Sequence, residues 1–142
     1  MSLLKLQSIL VTFVIAIVFL VIGDRLIGPA GPGYLFGDAL VYTYMAEGNF
    51  ADANPPFKYR VVVPLIAWLL PFDAEFSLKI VSYTGLFLFY IVILIICRSL
   101  GFNLFVSTVS LFALFSTVWH LYNYQNPYLT DTVALMLLSV LF

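Results

Sequence analysis

Residues whose side chains could take part in a reaction are concentrated in one stretch, residues 37–64, GDALVYTYMAEGNFADANPPFKYRVVVP. Asp38 stands at the start of a short predicted helix over residues 38–47, which Gly48 is able to end. Its carboxylate could act as a general base on an acceptor hydroxyl, or ligate a divalent cation. It could equally cap the helix, since aspartate is a preferred N-cap residue. Spacing alone leaves these roles open.

Two cations and a tyrosine, Lys58, Tyr59 and Arg60, stand directly before an apolar run. Arginine offers a bidentate fork and lysine a point charge, so the pair could hold a phosphate or pyrophosphate while a lipid tail lies among apolar helices. The alternative is ordinary anchoring at a membrane interface, which cations and tyrosines commonly provide. We include these three residues, together with Tyr42, in the predicted substrate-binding set.

A second polar and aromatic segment covers residues 120–132, HLYNYQNPYLTDT. Asp131 is the second candidate catalytic acid, although capping of the following helix by Asp131 or Thr130 is an equally physical reading. His120 and Asn126 could bind a sugar or a lipid headgroup through hydrogen bonds. Alternatively, they satisfy backbone groups of the loop.

The composition indicates an integral membrane protein. Of the 142 residues, 63% are hydrophobic and 9% are charged, whereas soluble domains carry roughly 25% charged residues. Helices are the expected spanning elements, because backbone groups in lipid must pair internally. The net charge of −1 gives no indication of a nucleic-acid partner. A single cysteine, Cys97, excludes a disulfide within the chain.

The apolar runs predict an all-α polytopic membrane protein with about four or five transmembrane helices. The first run is read as a retained anchor rather than a signal peptide, because no small-residue cleavage site follows it. Between it and the next run, residues 23–33 predict a glycine- and proline-rich loop. The short helix at 38–47 is expected to lie at the membrane interface within the first extracytoplasmic loop. The predicted apolar runs are 3–22, 61–72, 76–97, 104–119 and the start of a further helix at 133–142.

Whether residues 61–72 cross the membrane decides whether Asp38 and Asp131 face the same side of it. If this run crosses the membrane, three crossings separate Asp38 from Asp131, and they face opposite compartments. If it is re-entrant or interfacial, two crossings remain and the acids share a face. Because its 12 residues span only about 18 Å of helix, the sequence leaves both topologies open.

Two short motifs resemble membrane glycosyltransferases of the GT-C superfamily. Gly37-Asp38-Ala39-Leu40-Val41-Tyr42 is followed by Pro56-Phe57-Lys58-Tyr59-Arg60-Val61-Val62-Val63-Pro64, which is similar to the PF-x-YR-x-x-x-P pattern of poorly characterised bacterial and archaeal members. The later Asn126-Pro127-Tyr128-Leu129-Thr130-Asp131 resembles the second acidic loop of that superfamily.

The resemblance implies transfer of a sugar, with inversion, from a polyprenyl-phosphate donor to a lipid, glycan or protein acceptor at the extracytoplasmic face of a prokaryotic cytoplasmic membrane. It places the base at Asp38, the phosphate-binding cations at Lys58 or Arg60, and the second acid at Asp131. The family's catalytic module has more helices, so residues 1–142 are interpreted as one transmembrane domain from its N-terminal part. Whether they suffice for activity stays open.

Two other function classes remain. The chain could be a small non-catalytic subunit that packs against other membrane subunits through its aromatic loops. A transporter fragment is the third possibility, but ionisable residues of transport paths usually lie within the spans. The acids of this chain stand at predicted helix ends, which disfavours the transporter interpretation.

Overall fold

The computed structural model describes residues 3–27, 38–51 and 61–117, and the regular structure in these ranges is entirely helical. The predicted all-α class is confirmed for this part of the chain. Its helices are α1 (Leu3–Ile27), α2 (Asp38–Ala46), α3 (Val62–Trp68), α4 (Ala74–Ser99) and α5 (Leu104–Phe115).

Helix α4 is the element on which the other four pack. It covers the run predicted at residues 76–97, and it is the helix within the described ranges that is long and apolar enough to cross a membrane. Its start is fixed by Asp73, whose Oδ1 accepts a hydrogen bond of 2.9 Å from the Phe76 backbone N–H. Such a cap satisfies one of the backbone donors left over at a helix start.

Two separate apolar cores form along α4. The first joins its N-terminal half to α2 and α3, and the second joins its C-terminal half to α1 and α5. Each core contains a side chain of α4 with no exposed area, Leu78 in the first and Leu94 in the second. Helix α4 therefore packs against other helices in both of its halves. The first core contains Tyr42, Met45, Ala46, Val63, Ala67, Leu78 and Val81, and the second contains Ala16, Phe19, Leu86, Phe89, Tyr90, Leu94, Leu111 and Phe115.

Glycines end α2 and α4 in the same way. Gly48 and Gly101 have φ angles of +97° and +88°, a left-handed conformation that glycine adopts without steric cost. After α2, the Asn49 N–H donates to the Tyr44 carbonyl and the Gly48 N–H to the Met45 carbonyl, which is the hydrogen-bond pattern of a Schellman motif. The predicted end of α2 at Gly48 is confirmed.

Helix α1 continues past the end predicted for it. The sequence predicts a loop from residue 23, yet Gly23, Asp24 and Arg25 are helical and α1 runs to Ile27. A lone glycine costs only about 1 kcal/mol within a helix, and the first proline comes at residue 29. Gly23 is buried, and α1 continues through it.

Helix α3 is shorter than the apolar run that contains it. It has seven residues, or about 10 Å of helix, so it is too short to cross a membrane. Pro64 lies in its first turn, where no intrahelical N–H bond is lost, and Pro71 follows its end. This length favours the topology in which residues 61–72 do not cross.

Helix α5 ends earlier than predicted. It has twelve residues, about 18 Å, rather than extending to residue 119. Ser116 forms its C-cap, and the Thr117 hydroxyl donates to the Leu114 carbonyl. Of the described residues, one helix, α4, has the length and composition to cross a membrane. The run predicted at 133–142 lies outside the described residues, and the number of transmembrane helices stays a prediction.

Candidate functional site

Asp38 is the first residue of α2 and its side chain is exposed. The opposite face of this short helix, Ala39, Tyr42, Met45 and Ala46, is buried against α3 and α4. A hydrogen bond of 2.9 Å from the Thr43 hydroxyl to the Ala39 carbonyl adds to this buried face. Helix α2 is therefore packed against α3 and α4 through this face, while Asp38 stays exposed.

Tyr42 lies in the core formed by α2, α3 and α4. Its side chain has no exposed area, and it belongs to the cluster formed with α3 and α4. Tyr44, two residues further on, is 46% exposed. The interfacial location predicted for the short helix stays a prediction. The substrate-binding role of Tyr42 stays a prediction that would require the ring to leave this core.

Six of the eight predicted site residues lie outside the described residues, namely Lys58, Tyr59, Arg60, His120, Asn126 and Asp131. Their predicted roles stay predictions, as does the relation of Asp131 to Asp38. Among the described residues, no three His, Cys, Asp or Glu side chains are grouped closely enough to hold a metal ion. Binding of a divalent cation likewise stays a prediction.

A polar cluster that the sequence did not single out joins α1 to α4. The Tyr83 hydroxyl donates a hydrogen bond of 2.7 Å to Asp24 Oδ1, and Lys79 Nζ lies 3.4 Å from the same oxygen. The Lys79 ammonium also lies 5.3 Å from the centroid of the Tyr83 ring, within the range of a cation–π contact. We call these three residues the Asp24 cluster.

The Asp24 carboxylate is held in its ionised form. The hydrogen bond from Tyr83 lowers its pKa most, Lys79 and Arg25 lower it further by their charge, and partial burial opposes them. The net effect is a pKa below the usual value for aspartate. At neutral pH the contact with Lys79 is therefore an ion pair, with both side chains about one third exposed.

An apolar groove begins beside the Asp24 cluster. It has a volume of about 430 Å³ and runs between α1 and α4. Lys79 is the charged residue among those that line it. The lining side chains are Ile17, Leu20, Phe76, Lys79, Ile80, Tyr83, Thr84 and Phe87.

Sequence reasoning missed this cluster because it assigned Asp24 to a loop. Two signals were present. Lys79 and Tyr83 are four residues apart, a spacing that places them on one face of α4. Residues 23–28 also lack proline, so the helix of α1 can carry its polar end beyond the apolar run. Only tertiary packing brings Asp24 to Lys79, and the sequence does not encode that pairing locally.

Comparisons with protein-family models, with curated proteins and with solved structures found no match to this chain.

Proposed function

We propose that this chain is the N-terminal part of an integral membrane glycosyltransferase of the GT-C type. Its membrane location is supported by the length and composition of α4 and by the exposed surface of α1. The exposed large side chains of α1 between residues 10 and 22 are all apolar, which suits lipid better than water. In this proposal α3 does not cross the bilayer, because its seven residues are too few.

The reaction proposed is transfer of a sugar from a polyprenyl-phosphate donor to an acceptor hydroxyl at the extracytoplasmic face. The observation that carries it is the exposed Asp38 carboxylate on a helix whose other face is fixed in the core. A general base needs this combination, because it must reach the acceptor while its support stays in place. Lys58 and Arg60, with Asp131, complete the proposed site.

The test is Asp38→Asn in the full-length protein. Asparagine caps or begins a helix about as well as aspartate, so the variant keeps any structural role of Asp38 and loses only the base. We expect sugar transfer from a radiolabelled polyprenyl-phosphate donor to fall by roughly a hundredfold or more, the usual effect of losing a general base.

Asp73→Asn is the matched control for this experiment. Asp73 is also exposed and stands at a helix start, where its carboxylate accepts from the Phe76 N–H. Asparagine should keep that cap, so transfer should stay at the wild-type level. An Asp38→Asn protein that transfers sugar normally would contradict the proposal, and a loss shared with Asp73→Asn would point to a structural effect.

A second function is favoured by the surface of α5. Phe105, Val109 and Phe112 lie on one face of this helix and are 76%, 50% and 60% exposed. Such a face fits a non-catalytic membrane subunit that packs against a larger partner. Stoichiometric co-purification of a partner, lost on Phe105→Ala, together with unchanged function of Asp38→Asn, would favour the subunit over the enzyme.

A further inference from the structure

The groove between α1 and α4 has the dimensions of a lipid-binding site. Its volume of about 430 Å³ falls within the roughly 300–1,000 Å³ of small-molecule pockets. On α4 it follows one stripe of side chains from Phe76 to Phe87, a distance of about 16 Å along the helix. The part of the groove from Lys79 to Phe87 is about 12 Å long, which lies within the depth of about 15 Å of one leaflet of the hydrocarbon core.

The groove is apolar along its length and charged near one end. Ile17, Leu20, Ile80 and Phe87 provide apolar walls, and the Phe87 ring packs edge-on against Phe13 of α1 with centroids 5.8 Å apart. Lys79 lies one turn from the other end, close to the start of α4. An occupant therefore needs a long apolar chain and an anionic group at one end of it.

The Lys79 ammonium has donor hydrogens that can bind such a group beside its contact with Asp24. An ammonium has three donor hydrogens, and the single Asp24 oxygen at 3.4 Å occupies one direction. The side chain of Lys79 is 31% exposed, so a phosphate oxygen can approach it from outside. Asp24 is then a resident counter-ion with which the incoming anion competes for the same cation.

We propose that the groove between α1 and α4 binds one acyl chain of an anionic phospholipid, whose phosphate lies against the Lys79 ammonium. This site rests on the proposed membrane location of the chain but not on glycosyl transfer, because none of its residues belongs to the set around Asp38. It would place Lys79 at the headgroup level of the bilayer and Phe87 towards the bilayer centre.

The experiment measures lipid binding to the full-length protein in detergent by native mass spectrometry. The probes are phosphatidylglycerol and diacylglycerol with identical acyl chains, which differ in the phosphate headgroup. A charge-assisted hydrogen bond to the phosphate should make phosphatidylglycerol bind roughly tenfold more tightly to the wild-type protein. Millimolar inorganic phosphate should not displace it, since free phosphate lacks the chain that fills the groove.

Substitutions on either side of the ion pair should act in opposite directions. Lys79→Gln should reduce the preference for phosphatidylglycerol to about equal binding of both lipids, whereas Asp24→Asn should increase it by removing the competing carboxylate. A purely structural ion pair would instead make both variants bind less. Arg98→Gln is the control for Lys79→Gln, because Arg98 lies at the far end of α4 and outside the groove.

Filling the groove tests the chain-binding part of the proposal. Thr84→Phe should abolish binding of both lipids, because Thr84 lines the groove and is exposed. Ile95→Phe enlarges an exposed side chain on the same helix outside the groove, and it should bind like the wild type. If Lys79→Gln does not fold, Lys79→Arg keeps the charge and should keep the preference. Equal wild-type binding of the two lipids, or lipid binding that survives Thr84→Phe, would overturn the proposal.

Discussion

The hydroxyl of Tyr83 and the carboxylate of Asp24 are 2.7 Å apart, although the residues are 59 positions apart in the chain. The same carboxylate oxygen lies 3.4 Å from Lys79 Nζ. One acceptor on α1 is thus contacted from two successive turns of α4. This polar contact fixes α1 against the N-terminal half of α4, whereas the apolar core shared by the two helices lies on the C-terminal half of α4.

Tyr83→Phe removes the hydrogen bond and keeps the ring that lies beside Lys79. We expect the free energy of unfolding to fall by about 1 kcal/mol, because a hydrogen bond to a charged group contributes more than a neutral one but this site is partly exposed. Thermal unfolding in detergent, followed by circular dichroism, measures the loss. Tyr44→Phe, at an exposed tyrosine, should leave the midpoint unchanged. Equal midpoints for the two variants would contradict a stabilising role of the bond.

The ion pair of Asp24 and Lys79 should contribute a small, salt-dependent coupling. A double-mutant cycle with Asp24→Asn and Lys79→Gln should give a coupling energy of about 0.5 kcal/mol, since partly exposed pairs gain little. Repeating the cycle in 1 M salt should reduce this value, because the Debye length falls to about 3 Å. A coupling that is zero at low salt would show that the two charges act independently.

Gly48→Ala should destabilise the protein more than Gly101→Ala. Both glycines have positive φ angles, so an alanine at either position adopts an unfavourable backbone conformation at a cost of about 1 kcal/mol. At Gly48 the new Cβ would also lie 3.1 Å from Trp68 Nε1, while at Gly101 it would meet nothing within 4 Å. Chemical unfolding of both variants gives the comparison. A greater loss at Gly101 would contradict this account of the α2 end.

Tyr42→Ala tests whether Tyr42 supports the fold or binds a substrate. Removing a fully buried aromatic side chain should reduce the free energy of unfolding by about 3 kcal/mol. Tyr44→Ala, at the exposed neighbour, should change it by less than about 0.5 kcal/mol. Unfolding midpoints of the two variants decide the matter. A Tyr42→Ala protein with normal stability and lost activity would support the substrate-binding role instead.

Local signals predicted that helices form and where α2 ends, but they did not predict the ends of α1, α3 and α5 or the packing around them. Gly48 and Gly101 mark the two Schellman ends because the left-handed conformation depends on one residue's own sterics. Tyr42 is buried by residues of α3 and α4. These contacts join different segments of the chain, so the local sequence around Tyr42 does not predict them. The continuation of α1 through Gly23 was missed because a single glycine lowers helix stability by only about 1 kcal/mol and does not by itself end a helix.

The sequence analysis named Asp38 but not the Asp24 cluster, because the cluster depends on contacts between distant segments. The exposed start of α2 at Asp38 follows from helix chemistry that a short motif contains. The meeting of Asp24 with Lys79 and Tyr83 is a contact between segments far apart in the chain, which a single sequence does not reveal. Helix spacing places Lys79 and Tyr83 together but does not supply their partner.

The division of α4 between two cores has a mechanical consequence. Turning α4 about its own axis would break the contacts of Leu78 with α2 and α3 and those of Leu94 on the opposite half at the same time. A swing of the Asp24 end of α1 away from α4, in contrast, has to break the polar contacts to Tyr83 and Lys79. Packing on both halves therefore opposes rotation of α4 about its axis. The C-terminal end of α1 is held to α4 by the hydrogen bond and the ion pair of Asp24.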